Sequence, residues 1–153
     1  MRNERPCYRR GAVLALCTDF RVGAEGKKRI GLNEIKLGIP IPFATDLVLR
    51  QIVGDRTATN IIYSGDFFNM ETMLNSGLID EVQPMEEVEK RGLEMLLPLA
   101  QNCGPAFAGI KENRTAAIKH TYDQYRAEKD RQFMDMWYSD SVQTKLAEAA
   151  KSF

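Results

Sequence analysis

The residues best placed to do chemistry lie between Arg29 and Phe43, in the run Arg-Ile-Gly-Leu-Asn-Glu-Ile-Lys-Leu-Gly-Ile-Pro-Ile-Pro-Phe. One carboxylate, Glu34, stands there among Ile30, Leu32, Ile35, Leu37, Ile39 and Ile41, next to a loop of glycine and proline. Apolar surroundings strip solvent from a carboxylate and raise its proton affinity. A general base acting on a weak carbon acid needs that condition. The plainer alternative is that Glu34 caps a turn or pairs with Lys36 at the surface. Pro42, Phe43 and Leu47 follow closely and either wall a pocket beside Glu34 or simply stiffen the loop and fill the core.

Other reactive residues offer less. His120 is the single histidine and has no cysteine or carboxylate pair at metal-ligand spacing, so no metal site is expected. The cysteines Cys7, Cys17 and Cys103 are odd in number and lack paired spacing, which argues against a disulfide framework and suits a reducing compartment. Cys17, in an apolar run, reads as a buried small hydrophobe. There is no serine elbow, dinucleotide fingerprint or phosphate-loop lysine.

The elements that must hold these residues read as α/β. The 153 residues fit one domain with a real core. Lys plus Arg and Asp plus Glu balance at 21 each, so no overall field draws in nucleic acid or an anionic membrane. No apolar run is long enough to span a bilayer. Residues 1–10 read as irregular. Gly11 to Cys17 is a buried helix turn or a strand, and periodicity does not decide between them. Phe20–Val22, Ile30–Leu32 and Leu78–Val82 read as short strands. Two prolines keep 38–42 out of regular helix. Helices are predicted over 44–53, from about Thr57 to before Gly65, and from an N-cap at Asn69 to Gly77. After 83 the chain reads as helical, with a break at Gly104-Pro105, Phe133, Met136 and Trp137 on a later helix, and a capping box at Asp140 and Gln143. The organisation is then an irregular 1–10, an α/β part over 11–83 and a helical region over 84–153 expected to serve as a cover or an oligomerisation surface, with the Phe133, Met136 and Trp137 stripe as core or a subunit contact. With so few strands, this resembles part of a sheet rather than all of one.

Several separated blocks resemble the crotonase (enoyl-CoA hydratase/isomerase) family. Gly11-Ala-Val-Leu-Ala-Leu-Cys-Thr-Asp19 is similar to its helix that ends at Cys/Thr-Asp and enters a strand. Ile30 to Ile39, with Asn33-Glu34, Leu37-Gly38-Ile39 and then Pro42-Phe43, is similar to its catalytic-glutamate loop in the isomerase branch. Gly54-Asp-Arg56, Tyr63-Ser-Gly65, Ser76-Gly-Leu-Ile-Asp80-Glu-Val82 and Asp140-Ser-Val-Gln143 continue the likeness. It covers the chain from about Gly11 onward and implies a partial ClpP/crotonase-like fold whose first strands would precede this segment.

The resemblance implies an enzyme moving the double bond of a 3-enoyl-CoA thioester to the 2-position, as in fatty acid β-oxidation, with Glu34 as base. Hydratases of the family need a second glutamate, which would fall six residues before Asp19, at Val13; valine transfers no proton. The oxyanion donor would stand at Arg10–Gly11, where Arg10 replaces a glycine. Pro42, Phe43 and Leu47 would contact the acyl group; Lys111, where the family often keeps a lysine, and Lys119 either approach the CoA phosphates or, the favoured reading, belong to a solvated helix face. Also implied are no metal or redox cofactor, a trimer or hexamer, no nucleic acid, and a bacterial cytoplasm or a mitochondrial or peroxisomal matrix. The rival readings are a non-catalytic chain that binds acyl-CoA or a partner subunit, an enzyme completed by another chain, and a hydratase.

Overall fold

A computed structural model describes residues 9–151, with side chains from Gly11 onward. Residues 1–8, most of the segment read as irregular, lie outside it. Residues 9 and 10 are helical, contrary to that reading. The helix α1, Arg9–Leu16, settles the helix-or-strand ambiguity and buries Ala12 and Leu16 one turn apart. Cys17 follows it and is exposed, not buried as expected, because the helix has already ended; its thiol reaches only the Val13 carbonyl at 3.5 Å.

Two strand pairs carry the core. The strand β1, Val22–Ala24, lies parallel to β4, Glu81–Gln83, with Val22 opposite Glu81. The strand β2, Arg29–Gly31, lies antiparallel to β3, Phe67–Asn69, with Ile30 opposite Phe68. β1 starts two residues later than the sequence predicts. Arg21 is tied up at the corner, where its side chain donates to the carbonyls of Thr18 and Leu78, both at 2.6 Å, and its N–H donates to Asp80 Oδ2 at 2.6 Å. β4 also starts late, because the Leu78 and Ile79 amides bond the Met73 carbonyl instead of a neighbouring strand.

The short helix α2, Glu34–Leu37, comes next, followed by the extended Gly38–Pro42 loop and α3, Phe43–Ser64. Gly54 interrupts α3 with φ 78° and ψ 159°, so the two predicted helices meet at a kink. The helix α4, Met70–Asn75, is capped as predicted: Asn69 accepts from the Thr72 N–H at 2.7 Å. The helices α5, Val88–Gln101, α6, Pro105–Trp137, and α7, Asp140–Ala150, complete the chain.

The tail departs from the sequence reading in two ways. Phe133, Met136 and Trp137 belong to the same 33-residue helix as Phe107 and Ile118, since no breaker intervenes. Ser139, not Asp140, is the N-cap of α7, and there is no capping box; the Gln143 amide instead donates to the Trp137 carbonyl at 2.6 Å.

The core joins Ala12 and Leu16 of α1, Ile30 and Leu32, Leu49, Ala58 and Ile61 of α3, Met70 and Met73 of α4, and Leu78 and Ile79. Leu49, 0% exposed, and Met73 fill its centre, and burying each stabilises by about 1.5–3 kcal/mol.

Candidate active site

Glu34 opens α2 directly after β2 and Leu32. Its burial follows from its neighbours: Ile30, Leu32 and Ile39 are core residues, and the one-residue step from Asn33 into the helix turns the carboxylate inward with them. It is 2% exposed, and among the described residues only Thr45 joins it as a buried polar side chain. The surface alternative is thereby excluded. Lys36 pairs with Asp66 at 2.5 Å, on the exposed side of α2. Ile35 is also on the outer side, at 47% exposed.

Four residues cannot form an independent helix, because nucleation costs more than one turn returns. The position of α2 is therefore set by its walls. Gly65, the αL terminus of α3 (φ 58°), lies so close that a Cβ there would come within 2.6 Å of Ile35 Cγ2. On another side stands α7: a Cβ at Gly38 would meet Val142 Cγ2 at 3.6 Å and Lys145 Nζ at 3.2 Å. Gly38 itself (φ 79°) ends α2, and the Ile39 N–H bonds back to the Glu34 carbonyl at 3.2 Å.

The other predicted site residues are distributed around this turn. Pro42 is the N-cap of α3 and Phe43 its first residue. Phe43 is stacked on Tyr122 and edge-on to Tyr125, with ring centroids 6.3 and 6.4 Å away, and Leu47 sits half-buried one turn further on. Phe43 and Ile41 line an open cleft of about 600 Å³ between α3 and α6, with Phe133, Gln132 and Lys129 on its far wall; Glu34 is not among its lining residues. Arg10 and Gly11 lie near the start of α1. Lys111 is well removed in role: it holds Asp19 at 2.6 Å, beside a second cavity that it lines with Arg114 and Gln51.

Sequence reasoning expected the tail to cover the site or join subunits but missed the residues by which it touches the body. Tyr122 and Tyr125, three apart on one helix face, were the available signal for a contact with Phe43. Val142 gave none beyond its apolar type. Among the described residues no group of three His, Cys, Asp or Glu side chains is arranged to hold a metal ion, and no helix is long and apolar enough to cross a membrane. A strong charge pair, Glu81–Arg91, joins β4 and α5. The Arg91 guanidinium donates to Glu81 at 2.6 Å and holds that carboxyl below its ordinary range, and Glu81 in turn holds the Arg91 proton more tightly.

Residues 7–153 match the family model of enoyl-CoA hydratase/isomerase. The chain belongs to that family. Similar enoyl-CoA hydratase/isomerase relatives include "Enoyl-CoA delta isomerase 1, mitochondrial" of Mus musculus, 37% identical over 87 residues that make 56% of this chain and 30% of the relative. Crotonyl-CoA hydratase of Syntrophomonas wolfei is 35% identical over 78 residues, 51% of this chain and 30% of the relative. Among solved structures, human mitochondrial delta3-delta2-enoyl-CoA isomerase superposes with a TM-score of 0.87 at 27% identity, covering 93% of this chain and 55% of that one. Carnitinyl-CoA hydratase from Mycobacterium avium, at 20% identity and a TM-score of 0.80, supports the fold alone. The matches thus span about a third of the curated relatives and about half of the solved chains. The fold is accordingly a partial crotonase fold, α/β with few short strands and a helical C-terminal region.

Proposed function

We propose that this chain carries the proton-shuttling half of an enoyl-CoA isomerase, with Glu34 as the base. The observation that carries the reading is the burial of Glu34, at 2% exposed, in a turn walled by apolar side chains. The substrate class is a 3-enoyl-CoA thioester. The Glu34 carboxylate takes a proton from C2, and the electron pair moves into a dienolate whose thioester oxygen becomes negative. The protonated Glu34 then returns the proton to C4, leaving the double bond between C2 and C3. The two carbons are two bonds apart, so one pivoting carboxyl serves both. Backbone N–H groups near Arg10 and Gly11 are the proposed donors to the oxyanion. Pro42, Phe43 and Leu47 are the proposed acyl contacts, and Lys111, released from Asp19, a contact for CoA phosphate. No metal or redox group enters this chemistry.

Isomerase chemistry is favoured over hydration because Val13, half-buried against the core, occupies the position where a second acid–base group would be needed. The working form is proposed to be a trimer or hexamer, in a mitochondrial or peroxisomal matrix or a bacterial cytoplasm.

The test is conversion of a 3-enoyl-CoA to the conjugated 2-enoyl-CoA by the purified chain. Glu34→Gln should lower the rate by about 10²–10⁴ with the fold and acyl-CoA binding retained. Full activity of Glu34→Gln would overturn the assignment of the base. Acyl-CoA binding without any turnover would favour a non-catalytic family member, and rapid hydration of crotonyl-CoA would overturn the argument from Val13.

A further inference from the structure

The tail helices α6 and α7 bury very little. No residue of α6 is buried, and on α7 only Val142 is, at 3% exposed. The tail meets the body elsewhere through partly exposed contacts: Lys111 with Asp19, the Gln51 amide donating to the Arg114 carbonyl at 2.8 Å, and Phe43 with Tyr122 and Tyr125. The one well-buried side chain of the tail packs beside Gly38, the residue that closes the Glu34 turn. The aliphatic part of Lys145, one turn along α7, covers the same glycine, with its Cδ at 3.8 Å from a Cβ position there.

That placement has a mechanical meaning. The Gly38 N–H reaches the carbonyls of Glu34 and Ile35, and the Ile39 N–H reaches Glu34. Those bonds set the backbone from which the Glu34 side chain projects. A four-residue helix has little rigidity of its own, so its geometry depends on being pressed between the end of α3 and α7. The α3 wall belongs to the core, whereas on the α7 wall Val142 is the one buried side chain.

We propose that Val142 is a positioning residue for Glu34: its seat against Gly38 couples docking of α7 to the geometry of the proton-transferring carboxyl. The catalytic part rests on Glu34 being the base; the coupling of α7 to the turn does not. The methyls of Val142 touch no reacting atom. They act by denying the turn room to relax, and proton transfer is sensitive to such slack, since a misplacement of about 1 Å costs on the order of a hundredfold in rate.

Val142→Ala removes the two methyls that fill this seat. The expected result is a fall in kcat of about tenfold or more with KM within about twofold, because the loss is in the transition state and not in binding. Hydrogen exchange of the Gly38 and Ile39 amides should accelerate in the same variant, and Val142→Ile should restore both readouts. Glu34→Gln is measured in parallel. If it retains activity, the functional reading fails while the exchange data still judge the coupling. A lower melting temperature for Val142→Ala with unchanged kcat and unchanged Gly38 and Ile39 exchange would overturn the proposal. If Val142→Ala does not fold, native-state exchange of the wild-type chain in urea decides. The Gly38 and Ile39 amides should open together with those of α7, and independent opening refutes the coupling.

Discussion

Gly65→Ala offers a direct test of how tightly the Glu34 turn is held. A Cβ at position 65 would stand 2.6 Å from Ile35 Cγ2, where ordinary contact begins at 3.4 Å, so the two must part by about 0.8 Å. It would also lie 3.3 Å from Lys36 Cγ, which closes the easiest sideways escape. The clash falls on side-chain atoms of two successive residues of a four-residue helix; any part of it that rotation of the exposed Ile35 side chain does not absorb shifts the helix, carrying Glu34 with it. Gly65 has φ 58°, and placing a side chain in that left-handed conformation adds about 1–2 kcal/mol. Overpacking typically costs a further 1–3 kcal/mol or so. A displacement approaching 1 Å at a proton-transferring group is worth roughly a hundredfold in rate. The assay is steady-state conversion of 3-enoyl-CoA alongside thermal unfolding. The expected outcome is a melting temperature lowered by several degrees and kcat lowered far more than the unfolded fraction accounts for. A destabilised chain whose folded fraction keeps full kcat would refute the reasoning that α2 is positioned by its walls.

Further outcomes follow from other parts of the structure. Leu49→Ala empties a fully buried site in the core and should cost about 2–5 kcal/mol in urea denaturation. Asn69→Ala removes the acceptor for the Thr72 N–H and should cost about 1 kcal/mol, largely recovered in Asn69→Asp. The Glu81 carboxyl is held below its ordinary range by Arg91, so the pair stabilises the folded chain above the unfolded carboxylate value, near pH 4.3, and that contribution is lost as pH falls through the lower folded value. A stability difference between wild type and Glu81→Gln that is present at about pH 6 and shrinks steadily as the pH falls below about 4 would match this linkage; a difference that grows on acidification would contradict it.

Local chemistry made some elements legible from sequence. Asn69 caps α4 because its side chain suits a free N–H, Gly54 and Gly65 mark helix breaks because glycine adopts their positive-φ backbone angles without strain, and Pro105 opens α6. Burial of Glu34 could be inferred from the isoleucines and leucines around it. Long-range pairing was hidden. The strand β3 was invisible because Phe67–Asn69 takes its conformation from β2, almost forty residues earlier. The shifts of β1 and β4 depend on Arg21 reaching Leu78 and Asp80. The contacts of the tail were hidden for a similar reason: the apolar residues of α6 gather on no single face, and the meaning of Val142 resides in a contact with a glycine about a hundred positions away.

The parallel pairing of β1 with β4 turns the polypeptide between them into a ring, pinned at a junction between residues 59 positions apart. Closing a loop of that length costs roughly 3–4 kcal/mol beyond a fixed term, and no pairing energy is recovered until it shuts. Such non-local closure is slow compared with helix formation. The 70 residues from Pro84 to Phe153 lie outside the ring. At about 5–20 residues per second they take roughly 4–14 s to synthesise. On the ribosome, the ring can therefore close before α7 exists, and the last helix arrives at a scaffold already standing.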